Sequence, residues 1–376
     1  MPAAHPLDCF AAATPGLEPL VAEELRALSA LVPLDPGTPE PGGVAFRAAR
    51  RGLYAANLHL RIASRVLVRL GSFHAASFRE LERRAARLPW AEFVVRERAV
   101  RFRVTSKKSR LYHQDAVAER LARVVGTPAD ADPAGEAPPQ EFVVRLFRDE
   151  CTVSADASGE LLHRRGYRLA TARAPLRETL AAAMLAASGW TGEAPLVDPF
   201  AGSGTIPIEA ALRARRIPPG LGREFAFQHW PGYEVRAWEA LLAAARDAIV
   251  PRAPAPIAGS DRDAGAVAAA VANAERAGVA GDVVWRRAAL SAIEPPTGPG
   301  WVVTNPPYGT RVGERRRLRD LYAQLGHVLR RRCGGWEVAM LSAHAELERQ
   351  TALPFATVLA TENGGIRVRV VRAKVP

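Results

Sequence analysis

One segment narrows the possible folds more than any other. Leu196-Val-Asp-Pro-Phe-Ala-Gly-Ser-Gly-Thr-Ile-Pro-Ile-Glu-Ala-Ala211 reads as a short apolar strand that ends on Asp198, turns through Gly202 and Gly204, and opens a helix. Such a strand needs parallel neighbours, and its helix must cover one face of their sheet. The sequence after Ala174 supplies both. Apolar strand candidates at Leu196-Val197, Pro256 to Ala258, Val283 to Trp285, Trp301 to Val303 and Val338 to Leu341 alternate with helical patterns at Ile206 to Arg215, Ala264 to Ala277 and Leu318 to Arg332. This alternation predicts an α/β fold with a doubly wound, mostly parallel sheet. An Ala/Leu-rich helix over Leu176 to Ala187 precedes it.

The first 165 residues have a different texture and predict small α+β modules, not one large α/β sheet. Leu17, Leu20, Val21, Leu25 and Leu28 recur at helical spacing over residues 14 to 31, with Thr14 expected as the cap and Pro15 in the first turn. Pro33 to Gly43 reads as a turn-rich connector and Val44 to Phe46 as a short strand. Helices are expected at Arg51 to Asn57, Phe78 to Leu88 and His113 to Val125, and strands at Ala63 to Leu70 and Val100 to Val104. A loop over 127 to 140 leads into a hairpin of Phe142 to Phe147 with Glu150 to Ala155.

The chemistry resides in three places. No third glycine stands three residues after Gly204, and Gly-Lys-Ser/Thr is absent, so the first turn fits neither a dinucleotide fingerprint nor a phosphate loop. An acid before the turn repels a pyrophosphate but suits a cationic amino group, as in a sulfonium amino-acid cofactor. The second place is Ile257-Ala-Gly-Ser-Asp261, where Asp261 ends a strand and Asp263 follows. An acid there suits the ribose hydroxyls of an adenosine, with Asp261 ahead of Asp263; capping of the following helix is the alternative. Ile217 to Pro256, rich in Pro, Trp and Phe, reads as an insertion between these two places. The third is Val302-Val-Thr-Asn305-Pro306-Pro307-Tyr308-Gly309. Paired prolines after a strand force an extended, rigid turn and leave the Pro306 carbonyl free to accept. With the Asn305 side chain as second acceptor and Tyr308 as a flat face, the turn can hold a planar amine.

Together the three motifs resemble the class I S-adenosylmethionine-dependent methyltransferases that modify exocyclic amines. Further segments are similar to one branch, the THUMP-domain RlmL-type RNA guanine-N2 methyltransferases: Thr14-Pro-Gly-Leu-Glu18, Leu53-Tyr-Ala-Ala-Asn-Leu-His-Leu-Arg61, Leu161-Leu-His-Arg-Arg-Gly-Tyr-Arg168, Ala174-Pro-Leu-Arg-Glu-Thr-Leu-Ala-Ala-Ala183 and Pro219-Gly-Leu-Gly-Arg-Glu-Phe-Ala-Phe-Gln-His-Trp230. The resemblance implies an N-terminal ferredoxin-like module at 1–60, a THUMP-like RNA-binding domain at 61–168 and a Rossmann-like methyltransferase domain at 169–376. It implies S-adenosylmethionine as cofactor, with Asp198, Phe200, Ala201, Gly202, Gly204 and Thr205 around the methionine moiety and Asp261, then Asp263, at the ribose. Asn305, Pro306, Pro307 and Tyr308 would hold and align a guanine. One position departs from the pattern: Ala288 and Ala289 stand where the family often has an acid near the adenine amine.

Charge agrees with a nucleic-acid partner. The formal net charge is +12 and the isoelectric point about 10.5, and phosphate neutralisation releases counterions. The expected RNA track comprises Lys107, Lys108 and Arg110, then Arg311, Arg315, Arg316, Arg317 and Arg319, with Arg330 to Arg332 ending the next helix. Ribosomal RNA is the favoured partner and tRNA the second; a DNA adenine methyltransferase and a non-catalytic RNA-binding assembly factor are the rivals. Cys9, Cys151 and Cys333 match no zinc or disulfide spacing, so no metal is expected. The absence of a long apolar run or leader-like start predicts a cytoplasmic chain without membrane contact.

Overall fold

The computed structural model describes residues 6–95, 98–126, 139–169, 176–308 and 315–376, the side chain of Arg315 excepted. The expected loop over 127 to 140 and the site residues Gly309 and Arg311 lie wholly or largely outside that set.

The N-terminal half runs β1 (Leu7–Ala12), α1 (Glu18–Ser29), β2 (Leu34–Glu40), β3 (Gly43–Ala48), α2 (Arg50–His59), β4 (Arg65–His74), α3 (Phe78–Ala85), β5 (Val100–Lys107), α4 (Gln114–Val125), β6 (Gln140–Phe147) and β7 (Glu150–Asp156). Its first six elements form a ferredoxin-like β-α-β-β-α-β unit with strand order β2-β3-β1-β4. The sheet does not stop there. Strand β4 pairs antiparallel with β7, so one seven-stranded sheet, β2-β3-β1-β4-β7-β6-β5, runs through the whole half. Pro33 to Gly43 is not a connector but contains β2. Its Pro36 and Pro39 are tolerated because β2 is the edge strand and its register with β3 shifts between them. Nor does Thr14 cap the first helix. Leu17 occupies that position without a side-chain cap, and the Glu18 carboxylate instead accepts from the Gly16 and Gly42 amides at 2.6 and 3.1 Å.

The C-terminal half runs α5 (Glu178–Ser188), β8 (Leu196–Asp198), α6 (Thr205–Ala214), α7 (Val235–Asp247), β9 (Ile257–Asp261), α8 (Ala264–Arg276), β10 (Val283–Arg287), β11 (Trp301–Thr304), α9 (Arg315–Arg332), β12 (Glu337–Ser342), α10 (Ala345–Gln350), β13 (Ala356–Asn363) and β14 (Ile366–Lys374). The strand order is β10-β9-β8-β11-β12-β14-β13. The first five strands of that order are parallel; β14 pairs antiparallel with β12 and with β13. This is the doubly wound, Rossmann-like sheet expected, with a C-terminal hairpin added. From β8 the chain moves outward through β9 and β10, then returns to β11 on the other side. The order therefore reverses between β8 and β11, and a ligand crevice opens at their carboxyl ends.

The segment 217–256 holds helix α7 and joins the two halves. Tyr54 of α2 stacks on Phe227 with centroids 4.4 Å apart, and Trp238 of α7 stands edge-on to both rings. Trp230 Nε1 donates to Gln140 Oε1 of β6 at 2.8 Å. One apolar core runs continuously through both halves. Among the described residues no helix is long and apolar enough to cross a membrane.

Candidate active site

Asp198 ends β8 and is 1% exposed. Its Oδ1 accepts from the Phe200 amide at 3.0 Å and from Thr304 Oγ1 at 2.6 Å. Burial pushes its carboxyl up to about 7; the two donors pull it down, and the charge of Asp261 raises it slightly further. The Thr304 bond also fixes the end of β11, directly before Asn305. The two strand ends flanking the crevice are therefore locked together at the first and third motifs.

The turn after Asp198 is held from the neighbouring strand. Ala201, buried, donates its amide to the Ser260 carbonyl at 3.0 Å, and the Gly202 amide donates to Asp261 Oδ2 at 3.0 Å. Asp261 is half-buried, and its Oδ1 accepts from the Asp263 amide at 2.9 Å. Asp263 is the N-cap of α8: its Oδ1 accepts from Gly265 and Ala266. The capping role weighed for Asp261 thus falls to Asp263, and Asp261 is the carboxylate bound to the first turn.

The two glycines do different work. Both have left-handed backbone, φ +52° at Gly202 and +88° at Gly204. A Cβ at Gly202 would meet nothing within 4 Å. A Cβ at Gly204 would lie 2.7 Å from the Trp285 ring and 2.9 Å from Ala270 Cβ. Gly204 is therefore required for packing of the helix start against β10 and α8, whereas Gly202 borders open space. Phe200 is half-buried and Thr205 buried as α6 opens. Ala288 is half-buried, with its amide donating to the Asp261 carbonyl at 3.0 Å, and Ala289 is exposed.

On the other side of the crevice, Pro306 is buried and Pro307 exposed. The Asn305 Oδ1 is shielded from solvent and has no hydrogen-bond partner among the described residues. An unmet buried acceptor costs about 1–3 kcal/mol, so the fold keeps this atom unpaired at a loss. The Tyr308 hydroxyl accepts from Asn363 Nδ2 at 2.9 Å, at the end of β13. Asn363 carries no motif of its own in sequence, and the one signal that could have found its hairpin is the Asn363-Gly364-Gly365 turn. Asp198 and Asp261 thus stand at the carboxyl ends of β8 and β9, and Asn305, with its unpaired amide oxygen, directly follows β11. These groups fit a cofactor with a cationic amino group and a ribose, set beside a donor-bearing flat substrate.

The basic residues fall into two groups. Lys107, Lys108 and Arg110 are exposed at the end of edge strand β5, beside the β6–β7 turn, where Asp149 accepts from the Arg110 amide. Arg316, Arg317 and Arg319 are exposed on the first turns of α9, with Arg319 3.6 Å from Glu346. At the other end of α9, Arg330 donates to the Thr351 carbonyl at 2.5 Å and Arg332 to the Ile293 carbonyl at 3.0 Å. Those two guanidinium groups serve packing around the helix end. Among the described residues no cluster of His, Cys, Asp or Glu is arranged to hold a metal ion.

Comparison with known proteins matches these features. The model of the family described as "RMKL-like, methyltransferase domain" matches residues 165–369, and that of the RlmL ferredoxin-like domain matches 8–67. A Synechocystis sp. protein, named as a candidate RNA methyltransferase, is 35% identical over 95% of this chain and 94% of its own length. The ribosomal RNA large subunit methyltransferase K/L of Syntrophotalea carbinolica is also 35% identical, over 97% of this chain but 53% of its own length. The chain thus spans about half the length of the K/L relatives it matches. Among solved structures, a Listeria monocytogenes protein described as a predicted N6-adenine-specific DNA methylase superposes with a TM-score of 0.88, 30% identity, and 99% and 97% of the two chains covered. SMU.472, a candidate methyltransferase complexed with SAH, superposes with a TM-score of 0.88, 26% identity, and 100% and 99% covered. With the methyltransferase sheet, the ferredoxin-like start and these relatives in agreement, the chain belongs to the RMKL-like methyltransferase-domain family.

Proposed function

We propose that this protein methylates the exocyclic N2 amine of a guanine in ribosomal RNA. The unpaired, buried Oδ1 of Asn305, directly after the strand end that Thr304 ties to Asp198, carries the proposal. The cofactor is S-adenosylmethionine, as the methyltransferase family and the SAH in SMU.472 imply; when bound it supplies an electrophilic methyl group on sulfur. The chain's own part is to present the amine. Asn305 Oδ1 and the Pro306 carbonyl accept its two N–H groups, which favours a pyramidal nitrogen with its lone pair free. Tyr308, held through Asn363, offers its ring to the extruded base. The lock between Thr304 and Asp198 keeps both walls in register, and such alignment supplies much of the acceleration.

Ribosomal RNA is favoured because the K/L relatives, about 35% identical, are named for it. The resemblance of Leu161 to Arg168 to the end of a THUMP domain, an RNA-binding module, and the exposed Lys107, Lys108 and Arg110 point the same way. Replacing those three by Ala lowers the slope of log affinity against log salt by about 2–3 for ribosomal RNA, measured by filter binding. The Listeria neighbour's name favours a second reading, adenine methylation in DNA. Labelled-methyl transfer to stripped ribosomal RNA, tRNA and duplex DNA separates them: incorporation into ribosomal RNA is expected, and incorporation into DNA alone contradicts it.

Asp198 is assigned to the cofactor's amino group. Asp198→Asn keeps an oxygen for Thr304 and Phe200 but removes the charge. Affinity for S-adenosylhomocysteine falls about ten- to hundredfold in calorimetry, the range of a lost charge-assisted bond. Stability moves the other way. Because the folded carboxyl sits near 7, above its unfolded value, its contribution is present at low pH and lost as pH rises through about 7. The wild-type Tm therefore drops relative to Asp198→Asn between about pH 4 and pH 7 and levels off above that. An unchanged difference in Tm would show that Asp198 does not titrate in this range.

A further inference from the structure

Gly202 and Gly204 both adopt left-handed backbone, and the turn between them keeps that shape through hydrogen bonds from neighbouring elements. Ser203, between them, is buried, and its carbonyl needs a donor. That donor is the side chain of Asn273 on α8, fully buried, whose Nδ2 lies 3.0 Å from the Ser203 oxygen. Asn273 is itself oriented. Its Oδ1 accepts from Arg276 Nη2, one turn further along α8, and Arg276 Nε donates to the Tyr167 carbonyl at 2.7 Å.

Tyr167 belongs to a strap, residues 165–168, that the sequence singled out only by resemblance. The strap is anchored on both halves. Arg165 donates to the Arg61 carbonyl, in the N-terminal half, and lies 3.5 Å from Glu209 of α6. The Tyr167 hydroxyl donates to the same Glu209 at 3.1 Å, and Arg168 donates to Glu178 at the start of α5 at 2.9 Å. The helix that follows the turn is thus held through Glu209, and the turn itself through Asn273 and Arg276.

We infer that Asn273 and Arg276 are positioning residues for the cofactor turn, which they tie to the strap joining the two halves. They touch neither reacting group. Their effect passes from the Ser203 carbonyl back along the turn to the Gly202 amide, one residue earlier, whose bond to Asp261 sets that carboxylate. The inference rests on the assignment of this turn and Asp261 to the cofactor, so its test includes Asp261→Ala.

The test measures S-adenosylhomocysteine binding by calorimetry on the full chain, with Tm and hydrogen exchange of the peptide spanning 198–206. Asn273→Asp preserves the volume and the Arg276 contact but turns a donor into an acceptor facing the Ser203 carbonyl. Its dissociation constant rises about tenfold at unchanged stoichiometry, and the turn exchanges faster while the rest of the sheet does not. Arg276→Gln, near the surface, gives a smaller rise of the same kind. Asp261→Ala also weakens binding. Unchanged affinity in both α8 variants, with Asp261→Ala impaired, overturns the positioning role alone. Unchanged affinity in all three overturns the cofactor assignment as well. A lowered Tm with unchanged affinity and exchange marks Asn273 as purely structural and overturns the inference.

Discussion

Asn305→Ala lowers kcat by roughly two to three orders of magnitude and leaves the affinity for S-adenosylhomocysteine within about twofold, the pattern of an interaction made only with the reacting group. The reason lies in the ground state of the crevice. Asn305 is half-buried, and its Oδ1 meets no donor among the described residues. The cofactor wall is built from other residues, Asp198 and Asp261, whose hydrogen bonds reach the turn and Thr304 but not the Asn305 side chain. Truncation at Asn305 therefore removes an acceptor without loosening that wall. It also relieves an unmet buried polar atom, so Tm holds or rises. Asn305→Asp retains an acceptor and with it a measurable part of the turnover. Single-turnover kinetics alongside calorimetry check both halves. Wild-type turnover in Asn305→Ala would leave the amide without a role in the reaction.

Gly204→Ala has the second large effect, on folding and cofactor binding together. An Ala at φ +88° costs about 1 kcal/mol in backbone strain. Its Cβ would press on Trp285 at 2.7 Å and Ala270 at 2.9 Å. The indole has nowhere to retreat, because it also lies against Gly259 of β9, where a Cβ would stand 2.4 Å from the ring. Overpacking of this kind adds about 1–3 kcal/mol, so the total loss is roughly 2–4 kcal/mol. Relief requires α6 or β10 to shift, and either movement displaces the cofactor turn; S-adenosylhomocysteine affinity falls more than about tenfold. Gly202→Ala is the control. It shares the left-handed strain but meets open space, so it costs only about 1 kcal/mol. Equal losses of stability at the two positions, measured by urea unfolding, would contradict this division of work.

Much of this architecture is legible in the sequence. The parallel strands announce themselves as apolar runs ending on Asp198, Asp261 or Asn305, because a strand buried on both faces has no polar alternation to hide it. Local patterns could not show where strands find distant partners. The union of both N-terminal modules in one sheet depends on β4 pairing with β7, far apart in sequence. Strand β2 was hidden by Pro36 and Pro39, which an edge position permits. The hairpin of β13 and β14, and with it the Asn363 contact to Tyr308, went unread because neither strand carries a chemical signature. At the site, spacing placed the acids correctly at strand ends, but only geometry separates the capping Asp263 from Asp261. Likewise, the resemblance sets both glycines of the first turn around the methionine moiety, whereas packing makes Gly204 answer to Trp285.

The most direct test of the central claim is the identity of the methylated nucleoside. The 376-residue chain is incubated with S-adenosylmethionine and stripped ribosomal RNA, the RNA is digested to nucleosides, and the product is identified by mass spectrometry against synthetic standards. N2-methylguanosine that disappears with Asn305→Ala is the expected result. N6-methyladenosine, or a methyl group on a ring carbon, would mean that the crevice grips something other than the guanine amine.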